Sequence, residues 1–184
     1  MADWQTKSSN IVYETAWFKI RRDEVLNQHG KALTYSYMEL QNPSVFIIAM
    51  NAQNEILLQN GYRYPIRARV WEIPAGFTDS GEDFLAAAKR ELQEGSNLVS
   101  DDWRHLGRLQ QITGTGNVPV ELFLAKNVQP GNNQTDQDED ITDRQFFDMA
   151  TIERMAASAK IVDMPVLAAL YMVKIHNSSA KEKA

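Results

Sequence analysis

The sequence of 184 residues contains no cysteine. This absence excludes disulfide frameworks, thiolate metal centres, iron–sulfur clusters and cysteine nucleophiles. It is compatible with a reducing compartment, and we expect the protein in the cytoplasm. Glycine and proline are also scarce, at 9 and 6 residues, which excludes a collagen-like or low-complexity chain.

The chain also lacks long apolar runs and clusters of basic residues. Its longest apolar run spans residues 45–50, whereas a membrane-spanning helix needs about 20 residues. The polar stretch 1–10 has no apolar core of the kind found in secretion signals. Since 19 basic residues are scattered among 24 acidic ones, we expect neither a membrane nor a nucleic-acid partner. If the substrate is anionic, a mildly acidic protein needs a local positive charge to bind it, such as a divalent cation held by carboxylates.

Strand-forming residues dominate the first half of the sequence, and helical patterns come mainly later. Strands are predicted over 11–20, 33–40, 45–50, 55–59, 103–112, 120–128 and 142–149. A hairpin turn is predicted at 28–31, and 130–140 is predicted to be a polar loop. Helices are predicted over 82–95, 151–159 and 164–176, with a disordered tail from 177. This mixture predicts an α+β protein or a small α/β/α sandwich.

The helix predicted over 82–95 is the clearest of the three. Ser80 and Asp83 have the spacing of a capping box before its first turn. Phe84, Leu85, Ala88 and Leu92 fall on one face, which should pack on the sheet.

The segment from Trp71 to Leu98 contains the candidate residues for a catalytic, metal-binding site. A predicted strand ends in the bend Pro74-Ala75-Gly76, and the helix that follows contains Arg90-Glu91-Leu92-Gln93-Glu94. Glu91 and Glu94 are three residues apart, so both carboxylates lie on one helix edge, where they can share a hard divalent cation such as Mg²⁺. A glycine in the bend also allows backbone conformations that a side chain would forbid.

This segment resembles the Nudix box, the signature of hydrolases that act on nucleoside diphosphates linked to another moiety. The positions in register with that pattern are Gly76, Glu82, Arg90, Glu91, Leu92, Glu94 and Leu98. Asn97 replaces a glycine, which is a mild change because asparagine also tolerates a left-handed helix terminus. Gly95 replaces a glutamate that the family uses as a metal ligand, so the resemblance implies weakened metal binding unless another acid substitutes.

Further markers resemble the ADP-ribose pyrophosphatase branch of that family. They are the runs 12–18, 60–65, 71–76 and 123–125. The resemblance implies a Nudix-like α/β/α sandwich with a mixed sheet over 43–176. It also implies an N-terminal antiparallel strand element over 1–42, exchanged between the subunits of a homodimer.

The resemblance also implies roles for individual residues. Metal ligands for Mg²⁺ or Mn²⁺ would come from Ala75 (through its carbonyl), Glu82, Glu91 and Glu94, and Arg90 would complete the catalytic set with Glu91 and Glu94. Substrate contacts would come from Trp17, Arg63, Tyr64 and Glu72. The loop 113–119 lacks the acid that the branch uses there, so the general base stays open between Glu121 and Glu139.

Two functions remain open from the sequence. The first is a metal-dependent hydrolase that cleaves the pyrophosphate of a nucleoside diphosphate sugar, with ADP-ribose the leading substrate. The second is a degenerate relative that binds a nucleotide without hydrolysing it, as a sensor or regulatory module. Retention of Glu91 and Glu94 favours the first, and the glycine at position 95 favours the second.

Overall fold

The structure, a computed structural model, describes residues 4–132 and 140–181. The chain divides into two compact units, each described separately below. The first unit contains residues 4–43 and 109–120, and the second contains residues 44–108 with the described part of 121–184. Within the described residues, no helix is long and apolar enough to cross a membrane.

Thirteen strands and three helices are present among the described residues. The strands are β1 Gln5–Glu14, β2 Phe18–Leu26, β3 Ala32–Leu40, β4 Ser44–Ala49, β5 Ile56–Arg63, β6 Ala68–Glu72, β7 Ala75–Phe77, β8 Leu98–Val99, β9 Asp102–Gln110, β10 Gly116–Asn117, β11 Pro119–Lys126, β12 Gln129–Pro130 and β13 Ile141–Phe147. The helices are α1 Phe84–Ser96, α2 Met149–Ala157 and α3 Met164–Lys181, and a short 3₁₀ helix covers Tyr64–Ile66. The α+β class predicted from the sequence is confirmed.

The first unit is a four-stranded sheet in the order β1-β2-β3-β10. The three long strands are antiparallel, and the two-residue strand β10 runs parallel to β3. The single strand predicted over 11–20 is wrong, because the chain reverses between β1 and β2. The Thr15 hydroxyl accepts hydrogen bonds from the amides of Trp17 and Phe18, at 3.2 and 3.1 Å. This local side-chain bond stabilises a turn in place of a continuous strand.

The second unit is built on two main sheets, in the orders β7-β4-β11-β9 and β13-β5-β6. Strand β4 is almost wholly buried, which fits its apolar sequence. The apolar face of α1 packs into a core that includes Val45, Ile47, Leu92 and Phe123. The sheets therefore hold one face of α1 and leave the opposite face for polar side chains.

Both ends of α1 are capped, although the start differs from the prediction. Asp83 is itself the N-cap, and its carboxylate accepts hydrogen bonds from the amides of Leu85 and Ala86 at 3.0 and 3.1 Å. The predicted capping box that begins at Ser80 is therefore wrong, because the helix starts at Phe84 and the residue directly before it, Asp83, takes the cap bonds. At the other end, Asn97 is left-handed, with φ 52° and ψ 37°, as predicted.

The last helix is longer than the prediction. It continues to Lys181, so the tail predicted from Asn177 is helical as far as the structure describes it. Residues 177–181 contain neither glycine nor proline, so no local signal ends the helix at position 176. Residues 182–184, like residues 133–139 of the predicted polar loop, lie outside the described part of the chain.

Candidate active site

The predicted bend Pro74-Ala75-Gly76 is wrong for its last two residues, because Ala75 and Gly76 lie in strand β7, which pairs with β4. Strand β7 brings Gly76 against Glu91 of α1. A Cβ built on Gly76 would lie 2.1 Å from both the carboxyl carbon and Oε2 of Glu91. No real side chain tolerates such a contact, so position 76 must be glycine if the carboxylate is to stay in place. The Glu91 side chain is only 15% exposed, and it lies against the backbone one residue after Ala75.

Arg90 joins the loop before α1 to three carboxylates. Its Nε and Nη2 donate to the two oxygens of Glu82 at 3.0 and 2.9 Å. Its Nη1 donates to Glu91 Oε1 at 2.7 Å and to Glu94 Oε2 at 3.1 Å. Nη2 also donates to the carbonyl of Phe77 at 3.0 Å. We call Arg90 and its three glutamate partners the arginine hub.

The arginine hub carries a formal charge of −2 when all three glutamates are ionised, because one guanidinium faces three carboxylates. Hydrogen bonds from Arg90 hold the pKa of Glu82 below its ordinary value, and a further bond from the Asp79 amide acts in the same direction. The same contacts raise the pKa of Arg90, so its positive charge is permanent. The excess of negative charge makes this side of α1 attractive to a divalent cation.

Glu91 and Glu94 lie on the same side of α1, as their spacing indicates, since both reach one nitrogen of Arg90. Their surroundings differ, however. Glu94 is 53% exposed, whereas Glu91 is enclosed between the helix and strand β7. Their role as metal ligands is untested by the geometry alone and stays a prediction.

Gly95, which stands where the resemblance implies a third metal-binding glutamate, lies one helical turn after Glu91. It is buried, and its carbonyl accepts a hydrogen bond from Arg144 Nε at 2.8 Å. Among the described residues, no three histidine, aspartate or glutamate side chains are grouped as a ready metal site. The carboxylate oxygens of the arginine hub still suit a hard cation such as Mg²⁺, which is bound through few protein carboxylates.

Arg63 and Glu72, two of the predicted substrate residues, form an ion pair with each other. The guanidinium of Arg63 donates two hydrogen bonds to the carboxylate of Glu72: Nε donates to Oε2 at 2.9 Å, and Nη2 donates to Oε1. Glu72 is buried, whereas half of the Arg63 side chain is exposed. Burial raises the pKa of Glu72, and Asp163 adds to that rise while Arg63 opposes it.

Asp163 is a member of this charged group that the sequence analysis missed. Burial raises its pKa, while Arg63 acts in the opposite direction. Its Oδ2 accepts a hydrogen bond from the Val166 amide at 3.3 Å, at the start of α3. An aspartate two residues before Pro165 is a helix-start signal, and that local signal could have marked Asp163, although not its proximity to Arg63.

The two aromatic residues predicted to stack on a base are both exposed. Tyr64 is 75% exposed in the 3₁₀ helix of the second unit, and Trp17 is 61% exposed in the turn between β1 and β2 of the first unit.

Of the two candidates for the general base, Glu121 is committed to other contacts. It lies in β11, is buried, and bonds to His105 Nε2 at 2.8 Å, with Arg108 Nε at 3.5 Å. Glu139 lies outside the described residues. The assignment of a general base therefore stays open.

Family profiles match almost all of the chain. The profile of the NUDIX domain matches residues 40–170, which include the arginine hub. A profile described as the nucleoside diphosphate sugar hydrolase N-terminal domain matches residues 4–38. The two matches meet close to the boundary between β3 and β4.

Two curated relatives match over most of their own length. An ADP-ribose pyrophosphatase of Mycobacterium tuberculosis (strain ATCC 25618 / H37Rv) is 29% identical over 93% of this chain and 83% of its own. A methanol dehydrogenase activator of Bacillus methanolicus is 31% identical over 74% of this chain and 73% of its own.

A solved structure described as an ADP compounds hydrolase has the same fold. It superposes with a TM-score of 0.85, covering 98% of this chain and 97% of its own, at 16% identity. This similarity confirms the fold expected from the resemblance.

Proposed function

Because the chain belongs to the NUDIX domain family, we propose that it hydrolyses the pyrophosphate linkage of a nucleoside diphosphate sugar, with ADP-ribose as the leading substrate. The observation that carries the proposal is the enclosure of the Glu91 carboxylate between Gly76 and Arg90. A carboxylate held so closely between a helix and a strand, with excess negative charge around it, is suited to metal-assisted hydrolysis.

The residues that would hold Mg²⁺ or Mn²⁺ are the Ala75 carbonyl and the carboxylates of Glu82, Glu91 and Glu94. A divalent cation bound there would neutralise charge on the pyrophosphate oxygens and orient the attacking water. Arg90 positions these carboxylates, since it donates to all three glutamates and to the Phe77 carbonyl.

Arg63 is the residue of this chain best suited to bind the phosphates of the substrate. Half of its side chain is exposed, and Glu72 fixes the plane of the guanidinium. A planar, fixed guanidinium binds phosphate oxygens in a bidentate manner. Tyr64, one residue after Arg63, offers an exposed ring on which a base can stack, and the same role for Trp17 in the first unit stays a prediction.

We further propose a homodimer in which the N-terminal sheet takes part. Strand β1 is exposed along its whole length, and it carries Ile11, Val12 and Tyr13 at 46–58% exposure. Contiguous exposed apolar residues mark interaction surfaces. The dimer and a cytoplasmic location both stay predictions.

The test is hydrolysis of ADP-ribose, ADP-glucose, GDP-mannose and dinucleotides with Mg²⁺ or Mn²⁺. The products are phosphomonoesters, so phosphate released by an added phosphatase reports cleavage of the linkage. Turnover that is abolished in Glu91→Gln and retained in Glu153→Gln, a change at an exposed glutamate of α2, supports the proposal. Turnover that survives in Glu91→Gln, or turnover that chelators leave unchanged, contradicts it.

The second candidate function is nucleotide binding without hydrolysis. It is favoured by Gly95, which supplies no carboxylate, and by the lack of a three-residue metal group among the described residues. Thermal stabilisation by ADP-ribose that persists with a chelator, together with no turnover of any substrate, would support this candidate over the hydrolase.

A further inference from the structure

An aromatic pocket lies on one face of the N-terminal sheet, within the first unit. It has a volume of about 330 Å³ and is lined by Trp4, Asp23, Val25, Tyr35 and Tyr37. The rings of Trp4 and Tyr35 meet edge to face with centroids 6.0 Å apart, and Tyr35 and Tyr37 are 6.4 Å apart. We call these three rings the aromatic cage.

Each ring of the aromatic cage is held by a hydrogen bond at its polar end. The Trp4 indole donates to Gln28 Oε1 at 3.0 Å, and the Tyr35 hydroxyl donates to the Gly114 carbonyl. The Tyr37 hydroxyl donates to Asp23 Oδ2 at 3.3 Å. The π faces are therefore fixed before any ligand arrives, which lowers the entropy cost of binding.

Asp23 places a carboxylate at the base of the cage with one oxygen unsatisfied. The residue is only 7% exposed, and Oδ1 is buried with no donor among the described residues. A buried carboxylate oxygen without a donor is costly, and such a group is normally compensated by a hydrogen bond or a positive charge.

Two cationic residues of the same strand, Arg21 and Lys19, are paired with another carboxylate. Arg21, two residues before Asp23, donates to Glu39 at 2.6 Å and to Ser9 at 3.0 Å. Lys19 lies 3.6 Å from the same glutamate. Arg21 therefore attracts Asp23 only at longer range, and no described residue forms an ion pair with Asp23.

We propose that the aromatic cage and Asp23 form a binding site for an organic cation that carries an ammonium group. Ring faces attract such a cation through their quadrupoles, and a buried carboxylate supplies the opposite charge. A metal ion is disfavoured because it needs several oxygen ligands at once. An anion is disfavoured because it would meet the carboxylate.

The first measurement is calorimetric titration of the full chain with choline and with its neutral isostere 3,3-dimethylbutan-1-ol. The two compounds share their shape and differ in charge, so the cage should bind choline at least about tenfold more tightly. A lysine derivative blocked at both ends, titrated in parallel, distinguishes the source. Tighter binding of choline indicates a free methylated ammonium, and tighter binding of the lysine derivative indicates a protein side chain.

The variants Asp23→Asn and Trp4→Leu should each weaken binding of the cation by about tenfold or more. Glu24→Gln is the matched control, because Glu24 is the next residue of β2 and its exposed carboxylate bonds to Thr34. Asp23→Asn keeps the size of the side chain, so a folded variant is expected, and circular dichroism checks this. Equal binding of choline and its isostere, no binding of any cation, or unchanged binding by Asp23→Asn would each overturn the proposal.

Discussion

The carboxylate of Glu91 occupies the space that a side chain at Gly76 would need, since a Cβ there would lie 2.1 Å from it. This contact joins strand β7 to the polar side of α1. A side chain at this position would have to displace that carboxylate, whereas the backbone of Gly76 lies outside the left-handed region and does not itself require glycine. The carboxylate is thereby held beside Arg90, where the proposed reaction requires it.

Gly76→Ala should therefore displace Glu91 and reduce turnover of ADP-ribose by about 10–100-fold, the loss typical when a residue that orients a metal ligand is changed. Because the atoms in contact are the far end of a flexible side chain, which can turn aside, the free energy of unfolding should change far less than the turnover. Steady-state kinetics and urea unfolding measure the two effects. Gly114→Ala is the control, because a Cβ at Gly114 meets nothing within 4 Å and its φ lies outside the left-handed region. Equal effects of the two substitutions would contradict the packing argument.

Gly95→Glu should tighten binding of Mg²⁺ by about 10–100-fold and raise turnover, because position 95 lies one turn after Glu91 on the same stripe of α1. Calorimetric titration with Mg²⁺ measures the affinity. Gln93→Glu adds the same charge on a different side of the helix, so it should change the affinity far less. If both variants bind Mg²⁺ as the natural chain does, position 95 does not face the cation.

Ionised Glu82 should stabilise the folded protein near neutral pH, and this stabilisation should be lost in acid. Arg90 lowers the pKa of Glu82 in the folded state below its ordinary value of 4.5, so the unfolded state binds more protons as the pH falls. The contribution is thus fully present above about pH 4.5 and disappears as the pH falls through the folded pKa. Urea unfolding from pH 7 to 3 should show a shallower acid loss in Glu82→Gln than in the natural chain. Parallel pH curves would exclude this role.

Glu72 should have the opposite effect on the pH dependence of the free energy of unfolding. Burial raises its folded pKa above 4.5, so its contribution is largest below pH 4.5 and is lost as the pH rises through the folded pKa. The difference in free energy of unfolding between Glu72→Gln and the natural chain should therefore shift in favour of the variant as the pH rises from 4 to 7. The control is Glu153→Gln, which makes the same change at an exposed position. Gln59→Glu would not serve as a control, because Gln59 is itself buried. A constant difference across this range would show that Arg63 compensates the burial.

Sequence patterns predicted the features of the site that depend on neighbours along the chain. The spacing of Glu91 and Glu94 placed them on one side of α1, and asparagine at position 97 predicted its left-handed terminus. Both follow from the period of a helix and from local backbone sterics. The N-cap at Asp83 and the turn at Thr15 were missed, because several polar residues there compete for the same backbone amides and the strand pattern runs through the turn.

By itself, the amino-acid sequence determined the α+β class, the helix that carries Arg90, Glu91 and Glu94, and the family resemblance, since these depend on periodicity and local spacing. Only the tertiary structure decided that Arg63 pairs with Glu72 near Asp163, and that Asp23 lies buried beneath aromatic rings. Pairing of neighbouring strands brings Arg63 to Glu72 and Asp23 to the two tyrosines, whereas Asp163 comes from a distant part of the chain, just before α3. The energy of a buried charge depends on such neighbours in space, which no local pattern records.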